Sequence, residues 1–387
     1  MSNVSQQEAL LALSLAPGLG SQALAVLQAK FGDAANICAQ SQATLRNAGL
    51  SEASAAAIKN PDADMLAAGN RWLEHSNHHL LAADHHDYPP LLSAVHGAPF
   101  ALFVAGDPAV LSLPQIAIVG SRNATAGGLE TAAMFSAHLA QAGLTITSGL
   151  ADGIDTAAHT AALKAGGQTI AVCGTGLDIV YPRRNRELAE KIIQNGALVS
   201  EFPPGTPPQK NHFPRRNRVI SALTLGTLVV EAGRSSGALI TARYATEQGR
   251  EVFAIPGSIH SPQSKGCHKL IRDGAKLVET AGHIVEELAS IARGMLDSLE
   301  LQESFAAGET ENKTETYESS ADDPAHYELM SAMGWGPVTI DTLSERTGLT
   351  AAELSSMLLI MELENEVESL SGGRYQRLKR SHGGKQG

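Results

Sequence analysis

Seven short runs of apolar, mostly β-branched residues recur between positions 116 and 278, separated by helix-forming stretches. The runs are continuous rather than alternating, which is typical of strands buried on both faces of a parallel sheet. Stretches of about 127–142, 155–165, 185–195 and 237–249 would supply the crossover helices. The pattern predicts an α/β fold with a doubly wound, mostly parallel sheet. Its strands are expected at Ile116–Val119, Thr145–Ser148, Thr169–Cys173, Ala197–Ser200, Thr227–Glu231, Glu251–Ile255 and Lys276–Val278.

The flanking regions have different compositions. Residues 1–75 are rich in Ala and Leu and contain Gly turns, which predicts a helical domain of the SAM-like or helix-hairpin-helix type. Such hairpins can bind a DNA backbone through their turn amides, but because this region has few basic residues, we interpret it as a docking domain. Residues 84–290 hold the predicted sheet. An acidic linker is expected over residues 291–323, since ten acidic residues and one Lys lie between positions 297 and 328.

Residues 324–380 have the pattern of a winged helix: a helix-turn-helix followed by a hairpin around Gly372 and Gly373. A helix that reads a major groove normally presents basic or amide side chains. The second helix, residues 351 to about 364, carries three Glu and no Lys or Arg. This module is therefore interpreted as a protein-docking or regulatory domain.

The net charge separates the chain into regions of opposite sign. There are 29 Lys and Arg against 40 Asp and Glu, and a net charge of −11 argues by itself against a generic polyanion binder. Between Tyr181 and Arg218, however, eight basic residues face three acidic ones, so this window carries +5. Ligands of doubly wound sheets bind at the carboxyl ends of the strands, so the loops after each strand are where to look.

The loop after the first predicted strand is a candidate phosphate site. It contains Gly120, Ser121, Arg122 and Thr125 and runs into a helix, so backbone N–H groups and the helix dipole can bind an anion. Ser121 and Thr125 add hydroxyl groups, and Arg122 adds a guanidinium suited to phosphate. The loop matches neither GxGxxG nor GxxxxGK[ST], so no dinucleotide or ATP site is predicted and no cofactor is expected.

Further loops contribute basic, aromatic and hydroxyl side chains. In the second loop Gly149 permits close backbone approach, and Asp152 is interpreted as an acceptor for amides of the neighbouring loop. Basic residues interleaved with an aromatic ring fit single-stranded nucleic acid, whose phosphates pair with Arg and Lys while its bases stack. A second helix-terminus cradle follows the fifth strand. The candidate residues in these loops are Arg183, Lys210, Phe213, Arg215, Arg216, Asn217, Arg218, Ser235, Ser236 and Gly237.

Six His residues lie within a segment of 22 residues that resembles an interdomain connector: His75, His78, His79, His85, His86 and His96. A metal site there is an alternative, but no Cys accompanies them, so no metal is expected. The three Cys are far apart, and we expect a reducing cytoplasm. Neither a signal peptide nor a run long enough to cross a bilayer is apparent, so no membrane association is expected.

Six sequence stretches together resemble the DprA family, also called Smf, of DNA-processing proteins in bacterial transformation. They occur in the family's order within about residues 84–282: IAIVGSRNAT, SGLADGID, FPRRNRVIS, VVEAGRSSGALITA, AIPG and GCHKLIRDGA. The N-terminal helices and the winged helix also resemble accessory domains of many members. In the last stretch, His268 stands where the family usually has Asn.

The resemblance implies an extended Rossmann-like core that binds single-stranded DNA and forms a homodimer. It also implies protection of the incoming DNA and loading of the recombinase RecA onto it, by displacing or bypassing single-strand binding protein. By that resemblance Gly120, Ser121 and Arg122 form a phosphate pocket, which Ser235, Ser236 and Gly237 close. Catalysis is not expected.

A Rossmann-type nucleotide-processing enzyme, similar to phosphoribohydrolases, is the alternative function. Its PGGxGTxxE signature is missing, and Glu231-Ala232-Gly233 only faintly resembles it. Neither an acid pair nor a Cys/His nucleophile is apparent at useful spacing.

Overall fold

The computed structural model describes residues 6–289 and parts of the C-terminal region, namely 329, 332–333, 338–350, 354, 357–358, 361, 367–370 and 374–377. The chain divides into two compact units, residues 1–300 and 301–387. The predicted acidic linker, residues 291–323, lies outside the described residues.

The first unit is built on a nine-stranded sheet. In chain order its strands are β1 (His78–Ala82), β2 (Ala101–Gly106), β3 (Gln115–Val119), β4 (Thr145–Ser148), β5 (Thr169–Cys173), β6 (Gly196–Ser200), β7 (Gly226–Val229), β8 (Glu251–Ala254) and β9 (Lys276–Leu277). The order across the sheet is β1-β2-β6-β5-β4-β3-β7-β8-β9. Strands β3 to β9 are mutually parallel, whereas β1 and β2 pair in antiparallel fashion. The predicted doubly wound, mostly parallel sheet is therefore confirmed.

Helices cover both faces of the sheet, and the N-terminal helices pack at its β1 edge. The first seven are α1 (Gln6–Ser14), α2 (Ser21–Phe31), α3 (Ala34–Ala39), α4 (Gln42–Asn47), α5 (Glu52–Lys59), α6 (Ala63–Leu73) and α7 (Pro90–Ser93). The crossover and flanking helices are α8 (Ala126–Gln141), α9 (Ile154–Lys164), α10 (Arg186–Gln194), α11 (His212–Ala222), α12 (Ala238–Glu247) and α13 (Lys265–Arg272).

Burial on both faces explains why the strand sequences are continuously apolar. In β3, Ala117 and Val119 pack into one hydrophobic cluster, and Ile116 and Ile118 pack into another on the opposite face. Since successive side chains of a strand point to opposite faces, both halves of the sequence must be apolar when each face is covered. The central sheet thus forms a rigid support for the loops at its carboxyl edge.

The histidine-rich connector expected between the helical region and the sheet is in part a strand, so that interpretation is wrong. His78 and His79 lie on β1 at the edge of the sheet, where they pair with β2. The ring of His78 stacks on Trp72 of α6 at 4.1 Å between centroids, and its Nδ1 lies 2.7 Å from the Trp72 carbonyl oxygen. The N-terminal helices are therefore packed directly onto the sheet edge.

Side chains cap the first turns of α3, α4, α5 and α6. Ser51 precedes α5, and its hydroxyl accepts the N–H of Ser54 at 3.1 Å. Such a cap satisfies one of the unpaired amides of the first turn. Leu13, Leu27, Ile37 and other buried side chains of these helices form one cluster with Phe100, just before β2.

The described part of the second unit agrees with the winged-helix prediction. Strand β10 (Val338–Thr339) leads into helix α14 (Ile340–Thr347), and β12 (Arg374–Arg377) pairs with both β10 and β11 (Val367–Leu370). The hydroxyl of Thr339 caps α14 by accepting the N–H of Thr342 at 3.3 Å. Only Leu354, Met357, Leu358 and Met361 of the predicted second helix are described, and all four belong to the module's apolar core.

Candidate nucleic-acid interface

The point where the strand order reverses lies at β3. From β3 the chain winds through β4 and β5 to β6 on one side, and then returns to form β7, β8 and β9 on the other. In open parallel sheets, the crevice at the carboxyl ends of the strands flanking such a point is the usual ligand site. The loops after β3 and β7 are thus expected to face one another across it.

A cleft of about 740 Å³ occupies this position. It brings together the loops after β3, β4 and β7, the segment before α11 and the first turns of α11 and α12. Of the residues predicted from the sequence, the following line it: Gly120, Ser121, Arg122, Lys210, Phe213, Arg216, Asn217, Ser235, Ser236 and Gly237. Asn123, Asp155, Tyr181 and Gln263 also line it, and the sequence had not singled them out as site residues.

Thr125 caps a helix, whereas the sequence predicted that its hydroxyl would face a bound anion. It is the N-cap of α8, and its Oγ1 accepts the N–H of Gly128 at 3.0 Å. The carboxylate of Glu231, in the loop after β7, accepts the Thr125 hydroxyl at 2.6 Å and the Thr125 N–H at 2.9 Å. A Cβ on Gly128 would lie 2.4 Å from the Glu231 carboxyl carbon, so this approach requires glycine. Glu231 therefore fastens the β3 loop to the β7 loop.

The guanidinium of Arg216 forms the buried base of the cleft. The side chain is 5% exposed, and its Nη1 donates to the carbonyl of Gly149 at 2.5 Å and to that of Val172. Its Nε donates to the side chain of Asn217 at 3.1 Å. A Cβ on Gly149 would lie 2.6 Å from this guanidinium, which explains the glycine in the second loop. Arg216 thus ties β4, β5 and α11 together beneath the site.

Asp155 is the carboxylate that organises the second loop, so the role predicted for Asp152 is wrong. The carboxylate of Asp155 accepts the N–H groups of Gly149 at 3.1 Å and Ala151 at 3.3 Å. Burial raises the pKa of Asp155, and the charge of Arg216 opposes that rise. Asp152 instead pairs with the guanidinium of Arg184 at the surface. Both aspartates belong to SGLADGID, and the sequence alone could not tell which one turns inward.

An aromatic ring pair and a guanidinium lie beside the Gly120 loop. The guanidinium carbon of Arg122 lies 5.3 Å from the centre of the Phe213 ring, which is within cation–π range. Tyr181, 47% exposed, places its ring 5.6 Å from that of Phe213. This arrangement offers a cation and two ring faces at the mouth of the cleft.

The β7 side of the cleft is built around the start of α12. The hydroxyl of Ser236 accepts the N–H of Ala238 at 3.3 Å, and the Asn217 amide donates to the Gly237 carbonyl at 3.3 Å. Asn217 therefore joins α11 to α12. The side chain of Lys210 is exposed at the rim.

Three predicted DNA-binding arginines do not line the cleft. Arg215 and Arg218 both pair with Glu201, whose side chain is 1% exposed, and the Arg215–Glu201 contact measures 3.0 Å. Arg218 also donates to the carbonyl of Gly97. Arg183 is exposed in a short turn before α10. Contact of these three residues with DNA stays a prediction.

The histidine cluster divides into two parts. Donor atoms of His85, His86 and Asp87 lie within 4.8 Å of one another, the only such group found among the described residues. However, Nδ1 of His85 already accepts the Asp87 N–H at 3.1 Å. The ring of His78 instead stacks on Trp72 of the helical region.

No helix within the described part of the chain is long and apolar enough to span a membrane.

Comparison with known proteins identifies the fold that carries this cleft. Residues 79–289 match the family described as DNA recombination-mediator protein A, and residues 313–373 match the DprA winged helix domain. The chain belongs to the DprA family. Curated DprA-family relatives include Protein Smf of Escherichia coli, 44% identical over 80% of each chain, and DNA processing protein DprA of Streptococcus pneumoniae, 48% identical over 52% of this chain and 71% of that one.

Two solved DprA structures share the architecture. The X-ray structure of DprA from Streptococcus pneumoniae is 38% identical, with a TM-score of 0.63, and the match covers 71% of this chain and 95% of that one. The DprA of Helicobacter pylori, described for its single-stranded DNA binding mode, is 28% identical with a TM-score of 0.51, over 56% of this chain and 97% of that one.

The departure from the DprA pattern at His268 has a structural counterpart. Nε2 of His268, on α13, lies 2.9 Å from the carbonyl oxygen of Gly257 in the loop after β8. The histidine thus connects α13 to the stretch AIPG through a side-chain-to-backbone contact.

Proposed function

We propose that this DprA-family protein binds single-stranded DNA in the cleft at β3 and β7 and acts as a recombination mediator in bacterial transformation. The observation that carries the proposal is the arrangement of Arg122, Phe213 and Tyr181 beside the Gly120 loop. A guanidinium and backbone amides suit a phosphate, while two accessible rings suit stacked bases. The single-strand binding described for the Helicobacter pylori relative supports this proposal.

The binding is sequence-tolerant in this proposal. The cleft offers ring faces, a guanidinium and a loop terminus, which recognise features common to all nucleotides. The +5 window from Tyr181 to Arg218 supplies local attraction within a chain of net charge −11. Attraction that comes from phosphate neutralisation should weaken steeply with salt, because bound counterions are released.

We further propose that the protein acts by binding and not by catalysis. Of the described residues that line the cleft, Asp155 alone carries a carboxylate. Its oxygen accepts two backbone amides and lies near the buried Arg216, which gives it a structural role. A hydrolase of the phosphoribohydrolase type would need a group free to exchange a proton with its substrate.

Replacing Phe213 or Arg122 by Ala should weaken binding of oligo-dT by about tenfold or more, because base stacking contributes roughly 1–3 kcal/mol and charge-assisted contacts a similar amount. Arg122→Ala should also reduce the salt dependence by about 0.7 in the slope of log K against log[salt], the contribution of one phosphate contact. Fluorescence anisotropy at two salt concentrations measures both effects. Arg243→Ala, in a side chain 63% exposed on α12 outside the cleft, is the matched control. Wild-type affinity in both cleft variants would refute the proposed DNA path.

The proposed partners are RecA, single-strand binding protein and a second copy of the chain, and the family resemblance supports each of them. The Rossmann-like domain would form the dimer, since β9 is an edge strand of the described sheet and its Leu277 is 48% exposed. RecA assembly on strands coated with single-strand binding protein should then require this protein and, at low concentration, increase with the square of its concentration. Assembly that is independent of the protein would contradict the mediator role.

We place this function in the cytoplasm. The three cysteines are free thiols, and burial raises the pKa of each to about 11. Such thiols are protonated and poorly reactive at neutral pH, as suits a reducing compartment.

A further inference from the structure

A second open groove, of about 660 Å³, lies between α8 and α9 next to the proposed DNA cleft. Arg122 and Asn123 line both the groove and the cleft, so the two are continuous across the loop after β3. Helices α8 and α9 cover one face of the sheet, whereas α11 and α12, which border the cleft, cover the other. The charged residues that line the groove are three basic ones and one acidic one: Arg122, Lys164, Arg184 and Asp152.

The groove runs along one face of α9. The N–H of Ile154, the first residue of this helix, donates to the carbonyl of Ser121 at 3.2 Å, which places the start of α9 at the loop after β3. Thr156, Thr160 and Lys164 follow at intervals of four residues and line the groove. The helix rises about 15 Å from its first residue to its last, at about 1.5 Å per residue. Lys164 therefore lies at the far end of the groove, and the loop after β3 lies at the end next to the cleft.

Small and apolar side chains line the groove between its two ends. Alanines of α9 contribute to this lining together with Leu129 and Ala133 of α8, and Leu129 is 37% exposed. The two helices are joined in the buried contact between them, where the Ser136 hydroxyl donates to the Ala158 carbonyl at 2.6 Å. An apolar wall that ends in cations suits a nucleic-acid strand, whose sugars and bases can pack on the wall while its phosphates meet the cations.

The carboxylate in the groove already has a cationic partner. Asp152 pairs with Arg184, whose side chain is 71% exposed. Exposed ion pairs are weak because water screens both charges, so a phosphate can replace this carboxylate at little cost. Among the described residues, no ion pair joins Arg122 or Lys164 to a carboxylate. The groove therefore offers two cations directly and a third by exchange.

We propose that this groove binds the part of the single strand that continues from the cleft beyond Arg122, with one phosphate at Lys164 and another that replaces Asp152 on Arg184. This inference rests on the proposed function. The strand passes over the loop after β3, from the face covered by α11 and α12 to the face covered by α8 and α9. Cations and hydroxyl groups recognise phosphates and sugars, so the groove lengthens the DNA path without adding base specificity.

Two single variants with opposite expected effects test the groove. Lys164→Gln removes the cation at its far end, and Asp152→Asn removes the carboxylate that competes with phosphate. Lys30→Gln, at an exposed position of α2, is the matched control for the first variant. Glu52→Gln is the control for the second, because the Glu52 carboxylate also belongs to a surface ion pair but lies on α5. Thermal unfolding verifies that each variant is folded.

The expected results depend on the length of the probe. Oligo-dT of about 4 nucleotides fits one site, and oligo-dT of about 20 nucleotides extends beyond it; competition against the labelled long probe measures the short one. At about 0.1 M salt Lys164→Gln should bind the long probe about fivefold more weakly, with the salt slope reduced by about 0.7, which is the counterion release of one phosphate contact. Asp152→Asn should bind the long probe about fivefold more tightly, with the slope steepened by about 0.7, because Arg184 gains a phosphate. Both variants should match the wild type on the short probe, and both controls should match it on each probe.

Three outcomes would overturn the inference while the proposed function stands. The first is wild-type affinity of Lys164→Gln for the long probe. The second is an equal change for both probes in either variant, which would indicate general electrostatic attraction rather than contact with an extended strand. The third is a folded Asp152→Asn variant that binds the long probe no more tightly than the wild type. Absence of wild-type binding to the long probe would remove the proposed function and this inference together.

Discussion

Arg216→Ala should lower the free energy of unfolding by roughly 3–6 kcal/mol, because it removes two buried hydrogen bonds from a charged donor, each worth about 1.5–3 kcal/mol. The guanidinium is 5% exposed and donates to the carbonyls of Gly149 and Val172, which would both lose their donor. Asp155 would lose the positive charge that opposes the burial-driven rise of its pKa. DNA binding should fall as well, because the second loop loses its support.

Urea unfolding followed by circular dichroism measures this loss. Arg122→Ala is the informative comparison, since Arg122 is exposed and should lose DNA affinity while keeping wild-type stability. Arg216→Lys should recover little, because a lysine ammonium cannot reproduce the planar, forked geometry of the guanidinium. Wild-type stability of Arg216→Ala would show that Arg216 acts as a ligand-binding side chain only.

Acid should destabilise the protein through His159, by about 1.4 kcal/mol for each pH unit in the range where the native state resists its protonation. Burial, and then the charge of Arg216, lower the pKa of His159 from 6.5 to about 3. Its Nδ1 lies 2.7 Å from the Thr169 hydroxyl, and among the described residues Nε2 has no hydrogen-bond partner. A proton added to Nε2 in the native state would therefore have no hydrogen-bond acceptor, and the resulting positive charge would be buried.

The direction of this pH dependence follows from how many protons the native and the unfolded states bind. Between pH 6.5 and about 3 the unfolded chain protonates His159 and the native chain does not, so stability falls as pH falls through this range. Urea unfolding at a series of pH values measures the slope. His159→Gln should flatten it, whatever the variant's stability at neutral pH. His138→Gln, on the exposed side of α8, should keep the wild-type slope. An equal slope in His159→Gln would assign the acid sensitivity to other groups.

The sequence predicted the parallel part of the sheet because each of its strands is buried on both faces and therefore continuously apolar. It missed β1, where His78 and His79 occupy a half-buried edge strand that looks polar. It also missed β2, whose residues Ala101–Gly106 are fully buried. Both strands are antiparallel additions to the edge, and their place depends on pairing with β6, more than 90 residues away in sequence.

Only part of the candidate site could be predicted, because the rest depends on contacts between residues that are distant in sequence. Gly-containing loops and basic side chains can be recognised locally, and ten of the predicted residues line one cleft. The contact between Thr125 and Glu231 joins residues 106 positions apart, and that between Arg216 and Gly149 joins residues 67 apart. Local patterns carry no information on such pairs. Whether an arginine faces solvent, a buried glutamate or a carbonyl therefore became visible only in three dimensions.

The contact between Thr125 and Glu231 also affects which partner, protein or ligand, loses conformational entropy on binding. One carboxylate holds the loops after β3 and β7 together through two hydrogen bonds, so the width of the cleft is fixed before any ligand arrives. Ordering of flexible loops is one of the main costs of association, and a site built in advance avoids it. In the proposed complex the flexible partner would be the nucleic acid: the single strand would give up its conformational freedom, while the protein would give up almost none.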